Sequence, residues 1–283
     1  MEIKSLGQTD FETITKACIE AFADYELQLN AEELKTMWKR RGFCPDLSFA
    51  AFEGEKIVAY TLNGVGNFNG IKMAYDTGTG TLKEYRAQGL ATKIFEYSIP
   101  HLKAANINHY LLEVLQHNEK AVSVYRKIGF EVTREFYYFR WKNEELKNEI
   151  KKIEIPCSIA EIEIEKHASV SDFWDFYPSW QNSFESIERT HEDFISLGAF
   201  SEGKLIGYCV FEPVSGDITQ IAVDKPYRRK GIASLLLHEA SKLNKNEKMK
   251  LVNAEISSTS TVEFLKAKNI EIQGKQFEMK KAI

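Results

Sequence analysis

The heptapeptide Tyr-Arg-Ala-Gln-Gly-Leu-Ala at 85–91 returns at 227–233 as Tyr-Arg-Arg-Lys-Gly-Ile-Ala, and both copies have the make-up of an anion-binding turn. Each follows a strand-like stretch and leads an apolar run of helical spacing: Ile94, Phe95 and Ile99 after the first, Leu235, Leu236 and Leu237 after the second. At a strand-to-helix junction the first helical N–H groups are unspent, the helix dipole favours negative charge, and a glycine lets phosphate approach closely. One such turn is a weak signal; two in the same context are a strong one. Beyond the first turn stand two groups fit for proton transfer. Glu113 interrupts the apolar run Tyr-Leu-Leu-Glu-Val-Leu, so its carboxylate needs a partner or carries a raised pKa. Tyr125 lies on the stripe Ala121, Val124, Tyr125, Ile128, and its phenol is neutral at pH 7 and able to donate. Packing with a satisfied hydroxyl and a structural hydrogen bond explain the same two residues equally simply. Asp76 is a second acidic candidate.

The elements around these groups repeat. Glu2-Ile3-Lys4 and Asp10-Phe11 correspond to Glu163-Ile164-Glu165 and Asp172-Phe173, and Lys56 to Tyr60 corresponds to Lys204 to Tyr208. The offset shrinks along the chain while the order is kept, the pattern of a duplication with trimmed loops. In the first copy, helices are expected over Phe11–Phe22, over Ala31–Arg40 with Asn30 as N-cap, over Ala91–Ala105, and over Asn118–Ile128 with Gly129 as a left-handed cap. Strands are expected over Leu47–Phe52, Lys56–Leu62, Met73–Leu82, Tyr110–Leu115 and Phe136–Trp141, the last finishing the unit. The sum is a mixed α/β pattern with a central sheet in each copy. Residues 1–143 and 157–283 form the two domains, joined by the charged stretch 144–156.

Two phosphate-like motifs are set aside. Gly64 to Gly70 ends in Asn-Gly between two strand patterns, which reads as a hairpin turn. Thr77 to Thr81 lacks the Lys of a P-loop and continues a strand. The chain of 283 residues is 43% hydrophobic and 28% charged, enough apolar material for two cores. Its net charge of −4 argues against a general nucleic-acid binder. Four scattered cysteines and unclustered histidines, His117 included, suggest neither a disulfide frame nor a metal site. A polar start and no membrane-length apolar run point to a cytoplasmic protein.

The Arg-x-x-Gly-x-Ala turn at 86–91, then Leu112-Glu113-Val114, Asn118, Ala121, Tyr125 and Gly129-Phe130, resemble the GNAT superfamily of N-acetyltransferases. The resemblance covers the chain as two tandem GNAT-like units and implies a central mixed, mostly antiparallel sheet flanked by helices in each. It implies acetyl-CoA as co-substrate, with no metal, its pyrophosphate on the amides of Gln88, Gly89, Leu90 and Ala91, charge from Arg86, and a further contact at Asn118. Tyr125 then matches the acid that protonates the CoA thiolate, and Glu113 a base acting on the attacking amine, with no acyl-enzyme. The second turn supplies the counterparts Arg228, Lys230, Gly231, Ile232 and Ala233, but Leu265 stands opposite Tyr125, Asn253 opposite Glu113, Ser258 opposite Asn118 and Asn269-Ile270 opposite Gly129-Phe130. The second unit is therefore expected to be degenerate or accessory.

The function this implies is an acetyl-CoA-dependent N-acetyltransferase acting from the first unit on a primary amine. The alternative is a non-catalytic acyl-CoA-binding or regulatory tandem protein; a nucleotide-binding module is a third reading. The acceptor region implied by the resemblance holds Asp24-Tyr25, Trp38 and Arg40-Arg41 in one copy and Trp174, Tyr177 and Trp180 in the other, which selects no particular amine. Oligomeric state is not legible.

Overall fold

The computed structural model describes residues 1–25, 28–146, 153 and 155–283. The expected link at 144–156 falls largely on 147–152 and 154, outside the described residues. The chain divides into two compact units, Met1–Thr133 with Phe277–Ile283, and Arg134–Gln276. The compact units and the sequence repeats thus partition the chain differently. The strand expected to finish the first copy belongs, from Arg134 on, to the second unit, and the end of the chain takes its place in the first.

In the first unit the strands are β1 (Glu2–Ser5), β2 (Phe49–Glu53), β3 (Lys56–Phe68), β4 (Ile71–Thr81) and β5 (His109–Leu115), ordered β1-β2-β3-β4-β5. Next to β5 lies the end of β12 (Ile272–Ala282). All neighbours among the first four are antiparallel, whereas β4 and β5 run parallel. Helices α1 (Phe11–Ala21), α2 (Ala31–Arg41), α3 (Leu90–Ala104) and α4 (Glu119–Lys127) flank the sheet. Asn30 caps α2 as expected: its side chain accepts from Glu33 N while Glu33 returns a bond to Asn30 N, a complete capping box. The Asn-Gly turn is tighter than expected: β3 runs on to Phe68, and only Asn69 (φ 50°) and Gly70 (φ 74°) turn the chain. Two successive positive φ values are what a two-residue hairpin of the right twist requires.

In the second unit, β7 (Ser158–Glu161), β8 (Ile195–Ser201), β9 (Lys204–Glu212), β10 (Asp217–Val223), β11 (Lys248–Glu255) and β6 (Glu131–Lys142) lie in the order β6-β11-β10-β9-β8-β7. Here β10 and β11 are the parallel pair. The early region differs from the first copy. Where α1 and α2 stand in the first unit, short 3-10 turns and the brief α5 (Phe184–Glu188) precede β8, so the trimming fell on helices. α6 (Ile232–Leu243) and α7 (Thr259–Ala267) correspond to α3 and α4. No helix among the described residues is long and apolar enough to cross a membrane.

Phe277 and Met279 pack with Tyr110, Leu112, Val122 and Phe130 in the core of the first unit, with Met279 fully buried. Thr133 Oγ1 donates to Glu278 Oε1 at 2.7 Å, and Ile283 N to Asn108 O at 3.0 Å, fixing the returning segment on both sides. Truncating Met279 to Ala is expected to cost about 2–5 kcal/mol. Amide exchange should quicken in β5 far more than in β11; equal loss in both strands would show that the last segment is not part of the first unit's core.

Candidate functional site

The two basic turns have the same backbone. After a 3-10 turn at Lys83–Tyr85, Ala87 (φ 63°) and Gly89 (φ 72°) are left-handed and α3 begins at Leu90; after Lys225–Tyr227, Arg229 (φ 66°) and Gly231 (φ 89°) are left-handed and α6 begins at Ile232. A Cβ on Gly89 would meet nothing within 4 Å, so the glycine answers to its φ rather than to lack of space. Neither helix has a side-chain cap, which leaves the first N–H groups of both turned toward whatever approaches. Gln88 is exposed at the rim of its turn.

The arginines do something the sequence did not suggest. Arg86 donates from Nε to Thr81 O (3.2 Å), from Nη2 to Ala21 O (2.9 Å) and from both Nη atoms to Asp24 (2.7 and 2.8 Å). Arg228 repeats this with Val223 O (3.0 Å), Phe173 O (2.8 Å) and both oxygens of Asp175 (2.9 and 3.0 Å). Each guanidinium therefore ties its turn to the segment after the first helical region, and its charge is already matched. The hydrogen bond from Arg86 holds the Asp24 carboxyl down to about 2. Burial works to raise Asp175, but bonds from Ser260 and Arg228 outweigh it and keep it low. The expectation that Arg86 offers its charge to a ligand meets a guanidinium already paired with Asp24, which shapes the turn. A shared Phe-x-Asp, Phe22-Ala23-Asp24 and Phe173-Trp174-Asp175, was the available signal for this clamp.

Around Tyr125 the structure assembles a different pair from the one expected. The Tyr125 hydroxyl donates to Asp76 Oδ2 at 3.0 Å; Asp76 also accepts from Gly78 N (2.9 Å) and Thr79 Oγ1 (2.8 Å). A bulge at Thr77 in β4 turns Asp76 toward this contact, since Leu62 pairs with Gly78 but Asn63 with Asp76. Tyr125 is half-buried as a residue, its hydroxyl end enclosed. Burial, then the neighbouring Asp76, push its pKa well above the usual value, so it stays protonated. Burial also raises Asp76, against the bonds from Thr79, Tyr125 and Gly78 and the charge of Arg41. Beside them is a pocket of about 10 Å3, between Ala91 and Phe95 of α3, Tyr125 of α4 and Ile128 at its C-cap.

Glu113 is not in this group. Tyr110, Leu112 and Val114 pack on the α4 side of β5, so alternation sends Glu113 through to the opposite face, where it hydrogen-bonds with the buried Tyr75. Asn118 accepts from Ala121 N at 3.2 Å as the N-cap of α4. Of the aromatic residues noted in the acceptor regions, Trp38 (2% exposed) and Trp180 (1%) are core, whereas Trp174 lines a cavity and Tyr177 packs edge-on against it at 5.6 Å.

That cavity, about 410 Å3, is in the second unit and was not foreseen. It opens at the turn Arg228–Ser234, runs along Thr219–Val223 of β10 and Leu251–Asn253 of β11 beneath α7, and reaches the loop Phe173–Phe176. β10 and β11 pair at one position, Asp217 with Lys250, and a second irregularity at Asn253 (φ 62°) bends β11 away.

A family model for the acetyltransferase (GNAT) family matches residues 13–130 and 158–266. N-alpha-acetyltransferase 30 of Schizosaccharomyces pombe is 30% identical over 87 residues, 30% of this chain and 58% of that protein, so the match spans little more than half of the relative. Among solved structures, the fold is similar to a GCN5-related N-acetyltransferase from Sphaerobacter thermophilus (TM-score 0.73, 16% identity, 99% of this chain and 95% of that one). It is also similar to a tandem GNAT protein from the clavulanic acid biosynthesis pathway (TM-score 0.74, 12% identity, 99% and 98%).

The Asp76 shift has a testable sign. A carboxyl raised above its ordinary 3.8 in the folded state binds protons more tightly there, so the folded state loses stability as pH rises through the shifted value. Asp76→Asn removes that loss. Whatever constant cost its altered hydrogen bonds impose, its free energy of unfolding minus that of the parent should rise from about pH 3.5 to about pH 7. Denaturant titrations across that range check this, and a flat or opposite trend contradicts a raised Asp76.

Proposed function

This chain belongs to the acetyltransferase (GNAT) family, and from that premise we propose that it transfers an acetyl group from acetyl-CoA to a primary amine, using Tyr125 of the first unit. The observation that carries the proposal is the enclosed hydroxyl of Tyr125, held 3.0 Å from Asp76 beside the helix that begins at the first anion-binding turn. The pyrophosphate rests on the N–H groups of Gln88, Gly89, Leu90 and Ala91, and the thioester enters between the diverging ends of β4 and β5. The amine nitrogen attacks the thioester carbonyl, forming the C–N bond as the C–S bond breaks. The thiolate takes the Tyr125 proton, and the ammonium proton passes to a base or to water.

Glu113 lies on the opposite face of β5 from Tyr125, so in this reading the proton of the amine reaches it through the gap between β4 and β5. Asp76 orients Tyr125 and, as its acceptor, keeps the phenol protonated until a thiolate competes for it. The pocket of about 10 Å3 holds about one water, so α4 must move against β4 to admit a thioester. Peptide N-termini, polyamines, aminoglycosides and small amino metabolites all remain in the acceptor class.

A CoA-release screen across those amine classes tests the reading. Tyr125→Phe should lower kcat by about 10²-fold or more while changing the KM for acetyl-CoA little. Unchanged kcat in Tyr125→Phe, with a confirmed amine, removes Tyr125 from the chemistry.

A further inference from the structure

The segment that returns to the first unit brings a charged side chain to an otherwise apolar face. Phe277 and Met279 of β12, and Ile283 just past its end, pack with Tyr110, Leu112 and Phe130, and Lys281 falls on the same alternation. An inward ammonium needs an acceptor. Lys281 finds one in the backbone: its Nζ donates to Ile128 O, the carbonyl at the C-cap of α4, and lies 5.8 Å from the centroid of the Phe95 ring on α3. A Cβ on Gly129 would stand 2.9 Å from the same Nζ, so the glycine makes room for the lysine as well as meeting its φ of 91°. A cation on the end carbonyl of a helix gains from the charge-assisted bond and from the helix dipole together, and the Phe95 ring face adds to both.

Phe95 and Ile128 also line the small pocket beside Tyr125. The turn of α4 that ends at Ile128 is the one that carries Tyr125, closed by Phe130 N on Tyr125 O (2.9 Å) and Gly129 N on Arg126 O (3.0 Å). The returning segment meets this turn a second time, with the Arg126 guanidinium 5.9 Å from the Phe277 ring. The segment itself is anchored, since Met279 is fully buried and Ile283 N donates to Asn108 O at 3.0 Å. Lys281 therefore ties the Tyr125 end of α4 to a strand fixed in the core, and to α3 beside the pocket.

The second unit differs at each of these points. Thr77 is the extra residue of β4, between Gly78 paired with Leu62 and Asp76 paired with Asn63; Thr219 is the extra residue of β10, between Gln220 paired with Val210 and Ile218 paired with Phe211. Counted from the bulges, Ile218 occupies the place of Asp76. Counted from the N-caps Asn118 and Ser258, Leu265 occupies the place of Tyr125. Asn269 stands in the place of Gly129 and brings a Cβ of its own, and the space beneath α7 is about 410 Å3 instead of about 10 Å3. The polar pair, the glycine and the closed pocket occur together.

We propose that Lys281 is a positioning residue of the first-unit site: through Ile128 it holds α4 closed over the pocket, and a thioester enters only as that bond gives way. The proposal rests on the first-unit reading given above. While the bond is made, Tyr125 stays on Asp76; once it yields, α4 is free to move from β4. The closed state lowers the apparent affinity for acetyl-CoA, because only the open fraction of chains can take it.

Hydrogen exchange of the full chain, with and without acetyl-CoA, tests this in the parent, in Lys281→Met and in Lys281→Arg. Without ligand, the α4 amides should exchange about tenfold faster in Lys281→Met while α1 keeps the parent rate. Lys281→Arg keeps a charged donor and should stay near the parent. The acetyl-CoA concentration that half-protects the amides of Gln88 to Ala91 should fall about threefold or more in Lys281→Met. With the best amine of the screen, its kcat should fall as well, because Tyr125 is held less firmly. Unchanged α4 exchange in Lys281→Met overturns the proposal. Exchange quickened equally in α1 and α4 overturns it too, since that marks general destabilisation, and so does half-protection at the parent's concentration or above. Protection of Gln88 to Ala91 in none of the three proteins overturns the first-unit reading, and the gate with it.

Discussion

Two parallel strands that part after one or two paired residues govern the rest of this structure. β4 and β5 are joined at Ala74–Tyr110 and Tyr75–Leu111, and β10 and β11 at Asp217–Lys250 alone. The pairings β1–β2, β2–β3, β3–β4, β6–β11, β7–β8, β8–β9 and β9–β10 are antiparallel and longer. A gap opened inside a sheet exposes N–H and C=O groups that must find partners. The surrounding elements therefore have to supply side chains or leave room for a polar ligand. The bulges at Thr77 and Thr219 are part of the same device, because each re-aims the residues that face the gap.

What fills the gap distinguishes the units. In the first, Tyr125 reaches Asp76 and little space is left; in the second, Ile218 and Leu265 retire into the core and a cavity remains. The two changes belong together physically. Replacing only Asp76 by an aliphatic residue would strand the Tyr125 hydroxyl, and replacing only Tyr125 would take one donor from a buried carboxylate. Either costs roughly 1–3 kcal/mol, whereas exchanging both partners for apolar groups can be nearly neutral. The loss of Tyr at 265 is thus explained by the residue at 218 as much as by any relaxed demand for catalysis.

Much of this was legible in the sequence because local physics set it. The turns follow from glycines and helix periodicity, Asn30 and Asn118 from capping chemistry, and Gly129 from its left-handed φ of 91°, a conformation that Asn269 (φ 67°) supplies in the second copy. The parts that were not legible depend on the strand gap and on long-range contact. Glu113 and Tyr125 look like partners along the chain, but strand alternation puts them on opposite faces; Asp76 reaches Tyr125 only through a bulge that no local pattern announces. The cavity was hidden because its walls come from segments far apart in the chain, Trp174, Asn182, Tyr208, Gln220 and Asn253, whereas the sequence marked only the turn at 228–233.

The same distinction between local and long-range order explains why sequence repeat and compact unit diverge. The first unit takes its last core contributions, Phe277 and Met279, from residues separated from the rest of it by the whole of the second unit. Such contacts carry a large loop-closure entropy and form late relative to local helices and hairpins. Local elements such as the β3–β4 hairpin and α1 can form early, but the wall of β5 that backs Tyr125 is completed only when the distant segment pairs beside it. The surroundings of Tyr125 therefore depend on the last segment as well, although Tyr125, Asp76 and Thr79 all lie within the first 130 residues.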